Sequence, residues 1–202
     1  MAGDPHAAVW EAARPYMRSR ANDVHIPLSY ADARWLLSYH PEADEDVVLL
    51  SVLLHDIGWA VLDQDKIISE GMGPNGMESE IRYAHEREGA RLAREILGGL
   101  GYDAALVDEV AAIIDGHDTR AEALSRNDEL MKDCDRLWRF TVPGIALSCE
   151  WTGKSPAEYW PSLEAQLERF FTAEAAERAR EDLALSRQAL KIDLLPADTA
   201  RV

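Results

Sequence analysis

Four histidines stand in four separate segments of this sequence: His25 in NDVHIPLSYA, His55 in VLLHDIG, His85 in IRYAHEREGA and His117 in IIDGHDTR. The sharpest local signal is His55-Asp56, which follows the apolar run VVLLSVLL and precedes Gly58. Both side chains are costly to desolvate, so something polar must meet them. Neighbours on a helix point about 100° apart, so both can serve one cluster only close to a helix end, and Gly58 is read as that end. A lone buried histidine is more often a hydrogen-bonded core residue than a ligand, and His6 and His40 are assigned to that class or to the surface. Taken singly, His25, His85 and His117 would be structural too, and His117-Asp118 after a glycine fits a helix-terminal cap. Four histidines on four segments, with an aspartate in an unusual setting, ask for one joint explanation. The segment NDELMKDCDRLWRF adds a carboxylate beside an apolar helix face. Asp128, Asp133 and Asp135 compete for the role, and Asp135 has the best placing, between Cys134 and Leu137-Trp138. Among nearby cations, Arg120 lies three residues after His117 and Lys132 three before Asp135, within reach of one helix face. Arg120 is the first choice for an anion clamp and Lys132 the second. Arg82 and Arg87, flanking His85, read as solvated surface charges.

The elements that must position these residues read as helices. Alternating β-branched runs are missing, and Asn75-Gly76 sits in a glycine-rich loop, not between two strand-like segments. Helices are expected over 5–20, broken near Pro15, and from Asn22 or Asp23 towards 39, with Pro27 in the first turn. Asp44 starts the apolar helix that closes near Gly58. Further helices are expected over 78–97, 103–114 and 127–140, the last capped by Asn127. Ser155-Pro156 opens another, and Thr172 opens the final one, reaching about 195. The stretch 63–76, ending GMGPNG, reads as a solvent loop in preference to a lid, and the tail from Pro196 as frayed.

With 202 residues, 47% apolar and 29% charged, the composition is globular and suits a single helical domain, with a core over about 22–140 and a C-terminal extension over about 155–195. The formal net charge of −16 gives no general attraction for nucleic acid or anionic membrane. A small anion remains acceptable where metal ions or a local basic pocket overturn the bulk field. Two cysteines, Cys134 and Cys149, argue against a disulfide framework and a four-thiolate zinc site and suit a reducing cytosol. The charged N-terminal twenty residues lack the apolar region of a signal peptide, and 47–54 is too short to span a bilayer. A cytoplasmic location is therefore expected. No G-x-S-x-G, P-loop or dinucleotide fingerprint occurs.

The order His25, His55-Asp56, His85, His117, Asp135 resembles the HD superfamily of metal-dependent phosphohydrolases and related oxygenases, in particular the subset that binds two metals. The resemblance spans roughly residues 22–140 and implies an all-α helical bundle. It implies that His25, His55, Asp56 and Asp135 hold one metal, and that Asp56 bridges to a second completed by His85 and His117. Such an N/O donor set suits Fe or Mn first, with Co, Zn or Mg as alternatives. Six protein ligands leave open positions on two metals, and a bridging water there would be acidic enough to serve as a nucleophile at neutral pH. The resemblance thus implies hydrolysis of a small phosphate ester or phosphoanhydride, and Asp56, joined by Arg120 and Lys132 from their spacing, is the expected catalytic group. The alternative it carries is a mixed-valent diiron oxygenase acting on a phosphonate or polyol. A non-catalytic helical binding module is the reading from another class. The stretch HDIGWAVLDQD has Trp59 where the guanosine-tetraphosphate hydrolases carry acidic residues, and it lacks the lysine of the inositol oxygenases. The longer signature of the cyclic-dinucleotide branch is missing. The C-terminal aromatics Trp151, Tyr159, Trp160, Phe170 and Phe171 are expected to pack onto the core, and a homodimer through them is compatible with the sequence.

Overall fold

The computed structural model describes residues 3–63, 67 and 80–192. The GMGPNG loop and the tail from Pro196 lie outside them. Among the described residues there are nine α-helices and no strand: α1 Ala7–Ala13, α2 Asn22–Leu37, α3 Glu45–Leu54, α4 Glu80–Gly99, α5 Ala104–Ile114, α6 Arg126–Leu137, α7 Val142–Thr152, α8 Pro156–Gln166 and α9 Ala173–Ala189. The fold is all-α, and no helix among the described residues is long and apolar enough to cross a membrane.

The centre of the bundle is α3. Every residue over 47–54 is buried, and seven of the eight are Val or Leu. A helix apolar on all sides must be surrounded. It packs on α1, α2, α5 and α6. Each such side chain contributes roughly 1.5–3 kcal/mol through burial, so this helix anchors the core. Asp44 caps it, its carboxylate accepting the Val47 N–H. The α-helix ends at Leu54, not at Gly58, and the chain continues through Asp56 (φ −101°, ψ 4°) into a 3₁₀ turn, Ile57–Val61. Gly58 is needed for another reason. A Cβ there would lie 2.0 Å from the His85 carbonyl oxygen and 2.5 Å from the Gly89 N. Helix α4 crosses this turn backbone to backbone, and only glycine permits it.

Other boundaries differ from the sequence reading. Pro15 does end α1 as an α-helix, but 3₁₀ turns at Arg14–Tyr16 and Ser19–Ala21 follow it. Asn22 is not a cap; it is the first residue of α2, and its Nδ2 donates to the Asp56 carbonyl at 3.0 Å. Pro27 lies inside α2, beyond its first turn. Ser125, not Asn127, caps α6, while Asn127 bridges Glu109 and the Asp44 N–H. Helix α7, over Pro143-Gly144, was not expected; Thr141 caps it, and its proline sits in the first turn, where an N–H would be unpaired anyway. Ser155 and Glu158 form a capping box at α8, and Thr172 caps α9.

Candidate functional site

The six donors of the sequence reading meet at one end of the bundle. His25 comes from the first turn of α2, His55 and Asp56 from the end of α3, His85 from α4, His117 from the loop after α5 and Asp135 from α6. All six are buried, with no more than 8% of any residue exposed. His25 Nε2 lies 2.8 Å from Asp135 Oδ1 and Nδ1 3.4 Å from Asp56 Oδ2. His55 Nε2 is 3.3 Å from Asp135 Oδ1, and His117 Nε2 is 3.5 Å from Asp56 Oδ1. His85 Nε2 is 3.6 Å from Asp56 Oδ1 and 3.4 Å from His117 Nε2. Two donors each about 2.1 Å from one cation at right angles are about 3 Å apart, so these spacings fit shared ions.

Local structure aims the rings. His55 Nδ1 donates to the Val52 carbonyl at 2.8 Å and His117 Nδ1 to the Ile114 carbonyl at 2.9 Å. A carbonyl can only accept, so each bond puts the proton on Nδ1 and turns Nε2 into the cluster. His55 Nε2 is buried without a hydrogen-bond partner, a costly condition that a cation would relieve. The His85 ring is stacked on Trp59 at 3.9 Å, and Trp59 Nε1 donates to Asp56 Oδ1 at 2.9 Å. Three overlapping groups could hold a metal ion: His25, His55 and Asp135; His55, Asp56 and His117; and His85, His117 and Asp118.

Asp118 belongs to this centre and was passed over as part of a cap. Its Oδ2 lies 3.7 Å from His85 Nε2 and pairs with Arg82, which is 15% exposed and not the solvated charge expected from sequence. Glu86, fully buried next to His85, accepts the Asp118 and Thr119 N–H groups and the Thr119 hydroxyl, holding the His117-Asp118 loop against α4. Of the three competing aspartates, Asp128 accepts the Leu124 N–H and Asp133 accepts the Phe171 and Thr172 N–H groups; Asp135 faces the histidines.

The electrostatics are those of a cation site. Burial pushes the Asp56 carboxyl up, but His55, His117 and His25 outweigh it and hold Asp56 well below the usual carboxylate range. Asp135 is likewise held low against its burial, by Arg139, His25 and His55. Burial alone would lower His117, yet its hydrogen bond to Asp56 and the nearby Asp118 carry it up to about 9. The carboxylates that favour a proton there would favour a metal ion in its place. Burial, with His117 close by, takes His85 down to about 3, leaving a neutral imidazole able to ligate.

The two cations proposed as an anion clamp are engaged elsewhere. Arg120 donates to the Asp115, Ala112 and Ile113 carbonyls at the end of α5. Lys132 is 4% exposed, and its Nζ donates to the Gly116, His117 and Arg120 carbonyls. Because α5 stops at Ile114, its last carbonyls and those of the following turn need donors, and these side chains supply them. The spacing that suggested Arg120 assumed a helix continuing past His117, whereas Lys132 does share α6 with Asp135 and is diverted by the carbonyls it serves.

A cleft of about 490 Å³ opens beside the centre, sharing His117, Asp118 and Asp135 with it, and receives Arg139, Arg136 and Tyr159 on its other side. Arg139 Nη1 lies 3.1 Å from Asp135 Oδ2. Sequence reasoning missed Arg139, although its place four residues after Asp135 on a continuing helix was a usable signal. Neither the curated proteins nor the solved structures yield a significant match to this chain. The family model described as HD domain matches residues 24–139, more than half of the 202 residues and the whole span from His25 to Asp135. The chain therefore belongs to the HD-domain family, most of whose members are metal-dependent hydrolases.

Proposed function

We propose that this chain is a metal-dependent phosphohydrolase that cleaves a small phosphate ester or phosphoanhydride at a two-metal centre. The observation that carries this reading is the buried, inward-facing donor set, above all His55 Nε2 left without a partner among carboxylates. His25, His55, Asp56 and Asp135 would hold one ion, and Asp56, His85 and His117 the other, with Asp118 close enough to join the second. Bound there, the ions would polarise a phosphoryl oxygen and acidify a water at neutral pH. The chain's own groups do the rest. The bonds from His55 to Val52 and from His117 to Ile114 fix the rings before any ligand arrives. The cleft lined by Arg136, Arg139 and Tyr159 offers cationic and hydrogen-bonding groups to the remainder of an anionic substrate. Trp59 covers His85 and keeps that side of the centre apolar.

The test is elemental analysis of the protein as isolated, followed by a panel of small phosphates and phosphonates with and without oxygen. The expected result is Fe or Mn bound at up to two ions per chain and phosphate release under anaerobic conditions. Turnover that needs O₂ and a mixed-valent iron pair would instead support an oxygenase acting on a phosphonate or polyol. Metal content well below one ion per chain would sink both and leave a helical binding module.

A further inference from the structure

Six charged side chains, Arg20, Arg82, Arg139, Asp56, Asp118 and Asp135, line a cavity of about 30 Å³ at the metal-ligating centre. Arg82 pairs with Asp118 and Arg139 with Asp135. Arg20 pairs with none of them: its Nη1 is buried and has no hydrogen-bond partner. The guanidinium is nevertheless firmly placed, lying 4.6 Å from the ring centre of Trp59 and 4.9 Å from that of Trp151. Cation–π contact with two indoles holds the guanidinium in place and leaves the unpaired Nη1 for an oxyanion. The backbone is unusual too. Arg20 and Ala21 have φ of 50° and 55°, a left-handed conformation that non-glycine residues rarely adopt and that persists only where the surroundings enforce it.

The local charge points to what the fork is for. With the imidazoles neutral, as metal ligands must be, three carboxylates and three guanidiniums cancel, so each divalent cation seated among the donors leaves two uncompensated positive charges, and an anion is the ligand that neutralises them. Arg20 and Trp151 both lie outside the residues matched by the family model, 24–139, so the chain's two flanks add this feature to the family core.

We propose that Arg20, clamped between Trp59 and Trp151, is the anion-binding residue of the centre, donating to a non-bridging oxygen of a phosphate or phosphonate group seated on the cations. This rests on the metal-centre reading above. It takes over the role that sequence spacing had given to Arg120 and Lys132.

The test is calorimetric titration of Mn-loaded protein with inorganic phosphate, for the parent chain, Arg20→Met and Arg20→Lys, with metal content and helical circular dichroism recorded for each. Arg20→Met keeps a stem that packs between the indoles but removes the donors. It is expected to weaken phosphate by about tenfold or more, the loss typical of one charge-assisted hydrogen bond, with metal content and helicity unchanged. Arg20→Lys keeps the charge without the stacked fork, is expected to weaken phosphate by about threefold or more, and decides the matter should the Met variant fail to fold. Phosphate affinity within about twofold of the parent in a folded, metal-loaded variant would overturn the assignment. A parent chain that binds Mn but no phosphate overturns it as well and leaves the metal centre standing. A parent chain that binds no metal brings down both.

Discussion

At the scale of single residues the histidines are not equivalent. His55 Nε2 belongs to two of the three donor groups, those with His25 and Asp135 and with Asp56 and His117, whereas His85 belongs only to the group with His117 and Asp118. Removing the shared imidazole therefore breaks two of the three groups, while removing the peripheral one breaks only the third. His55→Ala is expected to lower the metal content to one ion per chain or less with helical content retained, and His85→Ala to reduce loading from two ions towards one, both read by elemental analysis of folded protein. Full loading of either variant would show that the ring concerned is not a ligand. The residues legible in the sequence are those whose type clashes with their setting: a His-Asp pair closing an apolar helix, or Asp135 beside Cys134 and Leu137. Asp118 was not legible as a ligand, because a polar residue after Gly116-His117 is equally at home in a cap. Arg20 was not legible because its environment is assembled from Trp59 and Trp151, far apart in the chain. Arg120 misled because the helix that would have given its spacing meaning ends at Ile114, and Lys132 because it shares α6 with Asp135 but spends its ammonium on the Gly116, His117 and Arg120 carbonyls.

At the scale of elements, two contacts hold the pieces of the centre in register. One is the crossing of the 3₁₀ turn at Gly58 with α4 at His85 and Gly89. Gly58→Ala would drive a methyl group into a carbonyl oxygen and must push α4 away. The expected cost is about 3 kcal/mol or more, above the usual range for overpacking because backbone cannot rotate aside. Chemical denaturation measures it, and a loss below about 1 kcal/mol would mean that the crossing is looser than described. The other is Asp133, buried on α6, whose carboxylate receives the Phe171 and Thr172 N–H groups and the Thr172 hydroxyl and so ties the start of α9 to the helix that carries Asp135. Asp133→Ala leaves those donors unpaired and is expected to cost about 2–4 kcal/mol, with proteolysis near residue 170 rising in parallel. The period and caps of α3, α5, α8 and α9 were readable because each opens on Asp, Ser or Thr. Helix α7 was not, because Pro143-Gly144 reads as a stop while Thr141 immediately before it quietly provides a start.

At the scale of the whole molecule, Asp32 joins the family core to the C-terminal helices. It is buried on α2 near Cys134, and it faces Arg178 and Asp182 of α9. Burial is the main cause that lifts its carboxyl from 3.8 to about 7; Arg178 opposes the rise and Asp182 adds to it. A raised folded value means that the native state holds this proton more tightly than the unfolded chain does. The stability it contributes is present below about pH 4 and is lost as pH rises to about 7. Asp32→Asn removes that dependence. The variant should match the parent near pH 4 and exceed it by on the order of 1–3 kcal/mol above pH 7, a gap that denaturant titrations at several pH values would reveal. Parallel curves for the two proteins would show that Asp32 does not titrate in this range. The same large-scale view exposes a tension between surface and interior. The chain carries a net charge of −16, yet Arg82, Arg136, Arg139, Arg169 and Lys132 gather around the cleft beside the centre. An incoming anion therefore climbs a repulsive slope before it meets any attraction. Dissolved ions flatten the long-range slope far more than the short-range well, so capture of such a ligand should be slowest in dilute buffer and quicken as ionic strength is raised.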